Sequence, residues 1–384
     1  TKIRIISLIC KCLIYRSFLK IFDGVRDPRK IDQCTYELGD LLAVAFLTYL
    51  TKREEYADMA LFARHQARDF GLFPYTDKSP SRDTFERLFA VLKTDFLEQA
   101  VLEQGKRILD ILNEKQIAID GKKLCGTAPK EKGTKGDYLL NAYVAENSLF
   151  IGQEKICDKE NEIPAIPRLL DKLEITGSTI SIDAMGTQVG IAEKIVAKGG
   201  HYFLAVKENQ GALLAEIKDV VRYYKPFSSH SETEKEHARV ETRTVSAFHA
   251  ELMEDKEALG RWKNLKTVVK VETHTVHVSD NGRETTQVRY YISDEDFPSA
   301  AYYGGLARSH WAVENGLHWH LDVTFREDDC RARKKNAAQN LSLLRKLVLQ
   351  IAKATDDKLS LRKRLVRASM DKEYLTTLLK NYGF

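Results

Sequence analysis

The chain has 384 residues, 43% hydrophobic and 30% charged, with a formal net charge of +5 at pH 7. That is an ordinary composition for a globular protein of one to three domains, and no apolar run approaches the roughly 20 residues of a membrane span. The small positive charge permits nucleic-acid binding without showing it, so local clusters carry more weight than the total.

Six cysteines stand at 10, 12, 34, 125, 157 and 330. A lone C-x-C with no partner pair is a weak metal signal, and reduced cysteines of a cytoplasmic protein are the expectation. In chain order, the opening TKIRIISLICKCLIYRSFLKIF is interrupted by Lys11, Arg16 and Lys20 and has no small-residue cleavage site. It reads as a helix or a truncated start rather than a signal peptide. The first hundred residues read as helical. YELGDLLAVAFLTYLTKR has no breaker, and SPSRDTFERLFAVLKTDFLEQAV opens on Pro80 and Ser81 before Phe85, Leu88, Phe89 and Leu92 at helical spacing.

Near 115 the texture changes to strands alternating with helices. QIAIDGKKL reads as a strand ending on Asp-Gly, and YLLNAYVAENSLFIGQEKI as two strands around an Asn-Ser turn. EIPAIPRLLDKLEI reads as a helix and STISIDAMGTQ as a strand ending on an acid. GIAEKIVAKGG is a helix closed by Gly199 and Gly200, and HYFLAVKENQ is a strand. This alternation predicts an α/β core. From about 211 to 300, ARVETRTVSAF, KTVVKVETHTVHV and TTQVRYYISD predict a β-rich insertion, with Asp280 to Gly282 as a hairpin turn. Helix resumes from about Ala300.

Several residues could carry chemistry. Asp120 and Asp183 each follow a short apolar strand. Each either starts a turn, as Asp-Gly often does, or faces its counterpart across neighbouring strands. In the second case the repelling pair needs a cation between them, and oxygen ligands suit Mg²⁺ or Mn²⁺. If 308 to 322 is a helix, Val313, Leu317 and Leu321 make an apolar stripe, and His310, Glu314, His318 and Asp322 make a polar one. The polar stripe is a solvated face or the third wall of a site. A zinc reading lacks the H-E-x-x-H pattern. Trp311 and Trp319 are expected to pack. Arg331, Arg333, Lys334 and Lys335 form a basic cluster that is either a solvated helix start or a phosphate contact.

Taken together, IAIDGKKLCGT, KENEIPAIPRLLDKL, ISIDAMGTQVGIAEKIVAKGGHYFLAVKENQGALL and HWAVENGLHWHLDVTFREDDCRARKKNAAQNLSLLRK resemble the H-repeat-associated branch of bacterial insertion-sequence DDE transposases. FDGVRDPRKIDQCTYELGDLLAVAFL and PSRDTFERLF resemble the segment preceding the catalytic domain there, so the likeness spans roughly residues 20 to 350. It implies a ribonuclease H-like mixed sheet flanked by helices, interrupted by a β-rich insertion. The expected divisions are a helical, DNA-binding 1–105, a first part of the core at 106–210, the insertion at 211–300, and core completion with C-terminal helices at 301–384.

By this resemblance Asp120, Asp183 and Glu314 are the catalytic metal-binding carboxylates, holding two Mg²⁺ (or Mn²⁺) ions. Water then cleaves the ends of the element, and the freed 3′-OH attacks target DNA by the same in-line displacement. Related proteins carry an Arg four residues before the third acid and a Lys seven after it; here those positions are His310 and Leu321. Lys122, Lys207, His310, His318, Arg331, Arg333, Lys334 and Lys335 are the expected DNA contacts. Asp322 is the competitor for the third acid, expected instead to support a histidine or arginine. Glu327, Asp328 and Asp329 are expected to be exposed or paired with the arginines that follow. The partners implied are double-stranded DNA, both element ends and target, and a second copy of the chain when ends are paired. The location implied is the bacterial cytoplasm, at the nucleoid. The alternatives are a DNA-binding remnant without catalysis and a metal-dependent nuclease without strand transfer.

Overall fold

The computed structural model describes residues 19–109, 116–128, 136–146, 148–156, 160–236, 238–278, 282–296 and 299–381. The expected N-terminal helix before residue 19, Cys10, Cys12, Cys157, Asn147 of one expected turn, and Asp280 and Asn281 of the other lie outside these residues. No helix among the described residues is long and apolar enough to cross a membrane.

A mixed sheet organises the α/β fold. Strands β1 (Gln116–Lys123), β2 (Tyr138–Val144) and β3 (Leu149–Ile156) form an antiparallel meander, and β4 (Thr179–Ile182) and β5 (His201–Val206) continue from β1 in parallel. Four longer strands follow: β6 (Ser228–Glu236), β7 (Arg239–His249), β8 (Thr267–His277) and β9 (Arg283–Ser293). The order is β3-β2-β1-β4-β5-β9-β8-β7-β6. The β-rich stretch therefore extends the central sheet, joined through Phe203↔Ser293 and Leu204↔Ile292. Its first part is helical rather than β, and β6 was not expected: SSHSETEKE is polar on both faces because this edge strand stands in solvent.

Two layers of helices cover the sheet. On one face α1 (Leu38–Leu50), α2 (Tyr56–His65), α3 (Arg82–Val91) and α4 (Thr94–Leu109) share a single apolar core with α10 (Ala337–Lys353), α11 (Leu361–Met370) and α12 (Lys372–Asn381). Ser81 caps α3 by accepting from the Thr84 amide at 3.3 Å. The N-terminal and C-terminal helices are thus one packed layer. On the other face α5 (Glu162–Lys172), α6 (Val189–Ala197) and α7 (Gly211–Tyr223), joined by the short α8 (Lys256–Arg261), bury Ile117, Ile119, Ile180, Ile182 and Leu204. α9 (Ala300–His310) lies against the inner ends of β7 to β9.

After α9 the expected regular helix over 308–322 becomes two π-helical turns, Glu314–His318 and His320–Thr324. The sequence explains this. Val313, Leu317, Leu321 and Phe325 are spaced four apart and are 1%, 0%, 0% and 1% exposed. In an α-helix each four-residue step turns about 40° past a full circle, so the stripe would walk off the core. Wider turns bring it back into line. Burying such a side chain stabilises by roughly 1.5–3 kcal/mol, which mounts this segment firmly on the core.

Candidate active site

Ile119 pairs with Ile182 in the parallel β1–β4 ladder, and each is followed at once by an aspartate. The reading of both acids as strand-end residues holds for Asp183 only. β1 continues through Asp120 to Lys123, because β2 goes on supplying partners, among them Asp120↔Asn141 and Gly121↔Leu140. Asp183 lies in the turn after β4, where its Oδ1 accepts from the Gly186 amide at 3.3 Å. Glu314 comes from the first π-helical turn and is exposed.

Asp120 feels the other two acids. Burial pushes Asp120 up to about 7, and the carboxylates of Glu162, Asp183 and Glu314 add to the rise. Glu162, in the first turn of α5, belongs to the same cluster although only the first three acids were expected. It is 9% exposed, its own pKa is raised by burial, and the Tyr138 hydroxyl donates to it.

The donor set suits a hard divalent cation, since it consists of carboxylate oxygens. Gly121 adds a second point of fit: a Cβ there would sit 2.3 Å from Glu162 Oε1, so only glycine admits that carboxylate beside β1. Among the described residues, no three His, Cys, Asp or Glu side chains already stand as a closed ligand set. An ion would have to draw the acids inward.

The histidines flank the acids as neutral rings. Lys346 of α10 donates to Asn141 Oδ1 at 2.5 Å and to Gln153 Oε1 at 2.6 Å. With its oxygen so engaged, Asn141 turns Nδ2 toward His318 Nε2 at 3.1 Å. That nitrogen is then the acceptor, and the ring proton sits on Nδ1, 3.5 Å from Asp120 Oδ2. Burial drives His318 down to about 3 and Lys346 down to about 7. On the Asp183 side, Gln116 Nε2 donates to Ser181 Oγ at 2.8 Å, and that hydroxyl lies 3.0 Å from His310 Nδ1. Burial lowers His310 to about 4. Asn141, Lys346 and Glu162 were missed from sequence. Only Glu162 had a signal, its place in the NEIPAIP stretch.

The other expected residues divide. Lys122 is 7% exposed and donates to Asp322 Oδ1 at 2.6 Å; burial lowers its pKa, but Asp322, Glu327 and Asp328 together outweigh it and leave the pKa raised. Asp322 therefore supports a lysine rather than a histidine or arginine. Lys207 is exposed just beyond β5. Arg331, Arg333, Lys334 and Lys335 are exposed; Lys334 pairs with Glu86 at 2.7 Å, and Arg333 donates to the Gly126 carbonyl at 3.2 Å.

Two further expectations are corrected. Glu327 is 2% exposed and lies 3.5 Å from the equally buried Arg345, because the turn at 327–329 folds back under α10. Trp311 and Trp319 are 39% and 51% exposed. Each sits two residues from the buried stripe and so points away from the core. The Arg289 guanidinium lies 4.5 Å over the Trp311 ring, at one edge of a cleft of about 950 Å³ between β7–β9 and the Arg308–Gly316 segment. None of the four acids lines that cleft.

The family model described as "Transposase DDE domain" matches residues 112–351, and the associated-domain model matches 19–103. "H repeat-associated putative transposase YhhI" of Escherichia coli K12 is 33% identical over 372 residues, covering 94% of this chain and 96% of the relative. "Putative transposase YncI" of E. coli O157:H7 is 32% identical, covering 89% of this chain and 88% of the relative. Among solved structures, a piggyBac transposase synaptic complex with hairpin DNA has a TM-score of 0.41 at 11% identity, covering 96% of this chain and 81% of that one. That likeness is too distant to bear on the site.

Proposed function

This chain belongs to the DDE transposases, in their H-repeat-associated branch, and from that premise we propose that it cuts the ends of a mobile DNA element and joins them to target DNA. The observation that carries the proposal is the convergence of Asp120, Asp183 and Glu314 from β1, the turn after β4 and the segment after α9. A ribonuclease H-like core is supported by the order β3-β2-β1-β4-β5, with β1 antiparallel to β2 and parallel to β4.

In this reading Asp120, Asp183 and Glu314 hold Mg²⁺ or Mn²⁺. When bound, such ions acidify water and offset charge on a scissile phosphate. The protein's own part is positional. The parallel register fixes the two aspartates side by side, the buried stripe fixes Glu314, and the neutral His318 presents Nδ1–H to the Asp120 carboxyl. No covalent enzyme intermediate is required. Arg331, Arg333, Lys334 and Lys335, with Lys207, are the proposed phosphate contacts; Lys122 is already committed to Asp322. Pairing two element ends would bring two copies of the chain together.

Incubation with element-end DNA and Mg²⁺ tests the proposal. Cut and joined products support it. Cut products alone indicate a nuclease without strand transfer. A retarded band with neither indicates a binding protein only.

A further inference from the structure

Glu162 belongs to neither the expected acids nor the expected DNA contacts, and its surroundings are unusual for a helix-start glutamate. Asn161 caps α5 by accepting from the Ile163 amide at 3.1 Å, which fixes Glu162 at the first helical position. A glutamate there ordinarily faces water and is stabilised by the helix dipole. This one is 9% exposed and lies under β1.

The space it occupies exists because residue 121 has no side chain. A Cβ at Gly121 would fall 2.3 Å from Glu162 Oε1 and 2.4 Å from Tyr138 Cε1. Glycine weakens a strand interior, and within a strand it often marks a close approach of another group. Here that group is a carboxylate, brought against the residue directly after Asp120. The Tyr138 hydroxyl donates to it. One donor uses only part of a carboxylate's capacity of about four lone-pair sites. Among the described residues, the charged group acting most strongly on Glu162 is Asp183, another acid. A buried carboxylate beside like charges is costly unless a cation joins them.

We infer that Glu162 is a fourth carboxylate of the metal site, seated by Gly121 and the Tyr138 hydroxyl, an inference that rests on reading Asp120 and Asp183 as ligands. It assigns Gly121 a function as well: the glycine admits an acid to the site.

The test is Mn²⁺ binding without DNA, followed by electron paramagnetic resonance of the free ion, with folding monitored by circular dichroism. Glu162→Gln and Gly121→Ala should each weaken binding by about 10–100-fold, the range for loss of a group supporting a metal. The double variant should bind no worse than the weaker single variant, because both changes remove the same carboxylate. Tyr138→Phe, which keeps the ring, should give a smaller loss. Asp183→Asn separates this inference from the reading beneath it. If it weakens binding while Glu162→Gln and Gly121→Ala bind like wild type, the inference fails and the three-acid site stands. If Asp183→Asn also binds like wild type, the three-acid site fails and takes the inference with it. Should Gly121→Ala not fold, Glu162→Gln alone decides.

Discussion

Ile119 of β1 and Ile182 of β4 stand opposite each other in parallel register, and the next residue on each is an aspartate. The register therefore forces two carboxylates together before any ligand arrives, with a measurable consequence for the metal-free protein. Asp120 keeps its proton up to about 7 when folded and to about 3.9 when unfolded. Between those values Asp120 holds its proton only in the folded chain, so its own contribution to stability falls as pH rises through the window. His310, His318 and His320, lowered by burial to about 4, about 3 and about 4, instead contribute stability that rises with pH up to about 6.5. Lys346, lowered to about 7, acts above that window, where its contribution makes stability rise with pH. Asp120→Asn should remove that one falling contribution, so that stability rises more steeply between pH 4 and 7 than in wild type, as read by thermal denaturation in chelator. A pH profile identical to wild type would mean that burial and the neighbouring acids do not raise Asp120 as described.

The third acid is tested against its neighbour on the same segment. Asp322 neutralises Lys122 at 2.6 Å, whereas Glu314 acts on Asp120. Glu314→Gln should lower the cleavage rate at least about 10²–10³-fold, as loss of a charge-stabilising group does, with DNA affinity kept. Asp322→Asn should retain cleavage and lose thermal stability. The reverse pattern in single-turnover assays would move the ligand to Asp322.

Glu327 makes a different prediction from either. It faces Arg345 with both side chains 2% exposed, so Glu327→Gln leaves an uncompensated buried cation. The cost should be about 3–5 kcal/mol, and replacing both partners by apolar residues of similar size should recover most of it. Urea denaturation reads this directly. Wild-type stability in Glu327→Gln would show that the pair carries no weight.

The basic cluster is partly committed within the protein: Lys334 to Glu86 and Arg333 to Gly126. Neutralising Arg331, Arg333, Lys334 and Lys335 together should weaken binding to DNA of any sequence. The slope of log K against log salt should become shallower by about 0.9 for each phosphate the cluster had neutralised, roughly 2 if only Arg331 and Lys335 reach DNA. An unchanged slope would leave the cluster as a solvated turn.

How far the sequence reached depended on burial. Apolar runs such as TISI and QIAI announced β4 and β1, and the stripe at 313, 317 and 321 announced a packed segment, because burial writes itself as periodicity. β6 did not, since a solvated edge strand has no buried face to encode. The π-helical turns were invisible to a reading that assumed 3.6 residues per turn. The alliance of Glu327 with Arg345, and that of Asn141 with Lys346 and His318, join residues far apart in the chain. Only the folded register brings them together. Glu162 was in plain view in NEIPAIP, but nothing local says that its helix starts beneath β1 with Gly121 above it.

Whether paired carboxylates with a divalent ion cut DNA can be decided in a single assay. Cleavage of labelled element-end DNA should be followed in Mg²⁺, in Ca²⁺ and in chelator, for wild type, Asp120→Asn and Asp183→Asn. Wild type should cleave in Mg²⁺ alone. In Ca²⁺, whose looser coordination suits the chemistry poorly, it should bind DNA without cutting it. Both variants should lose cleavage while still binding DNA. Undiminished cleavage in chelator, or by either variant in Mg²⁺, would contradict the assignment of these acids as metal ligands.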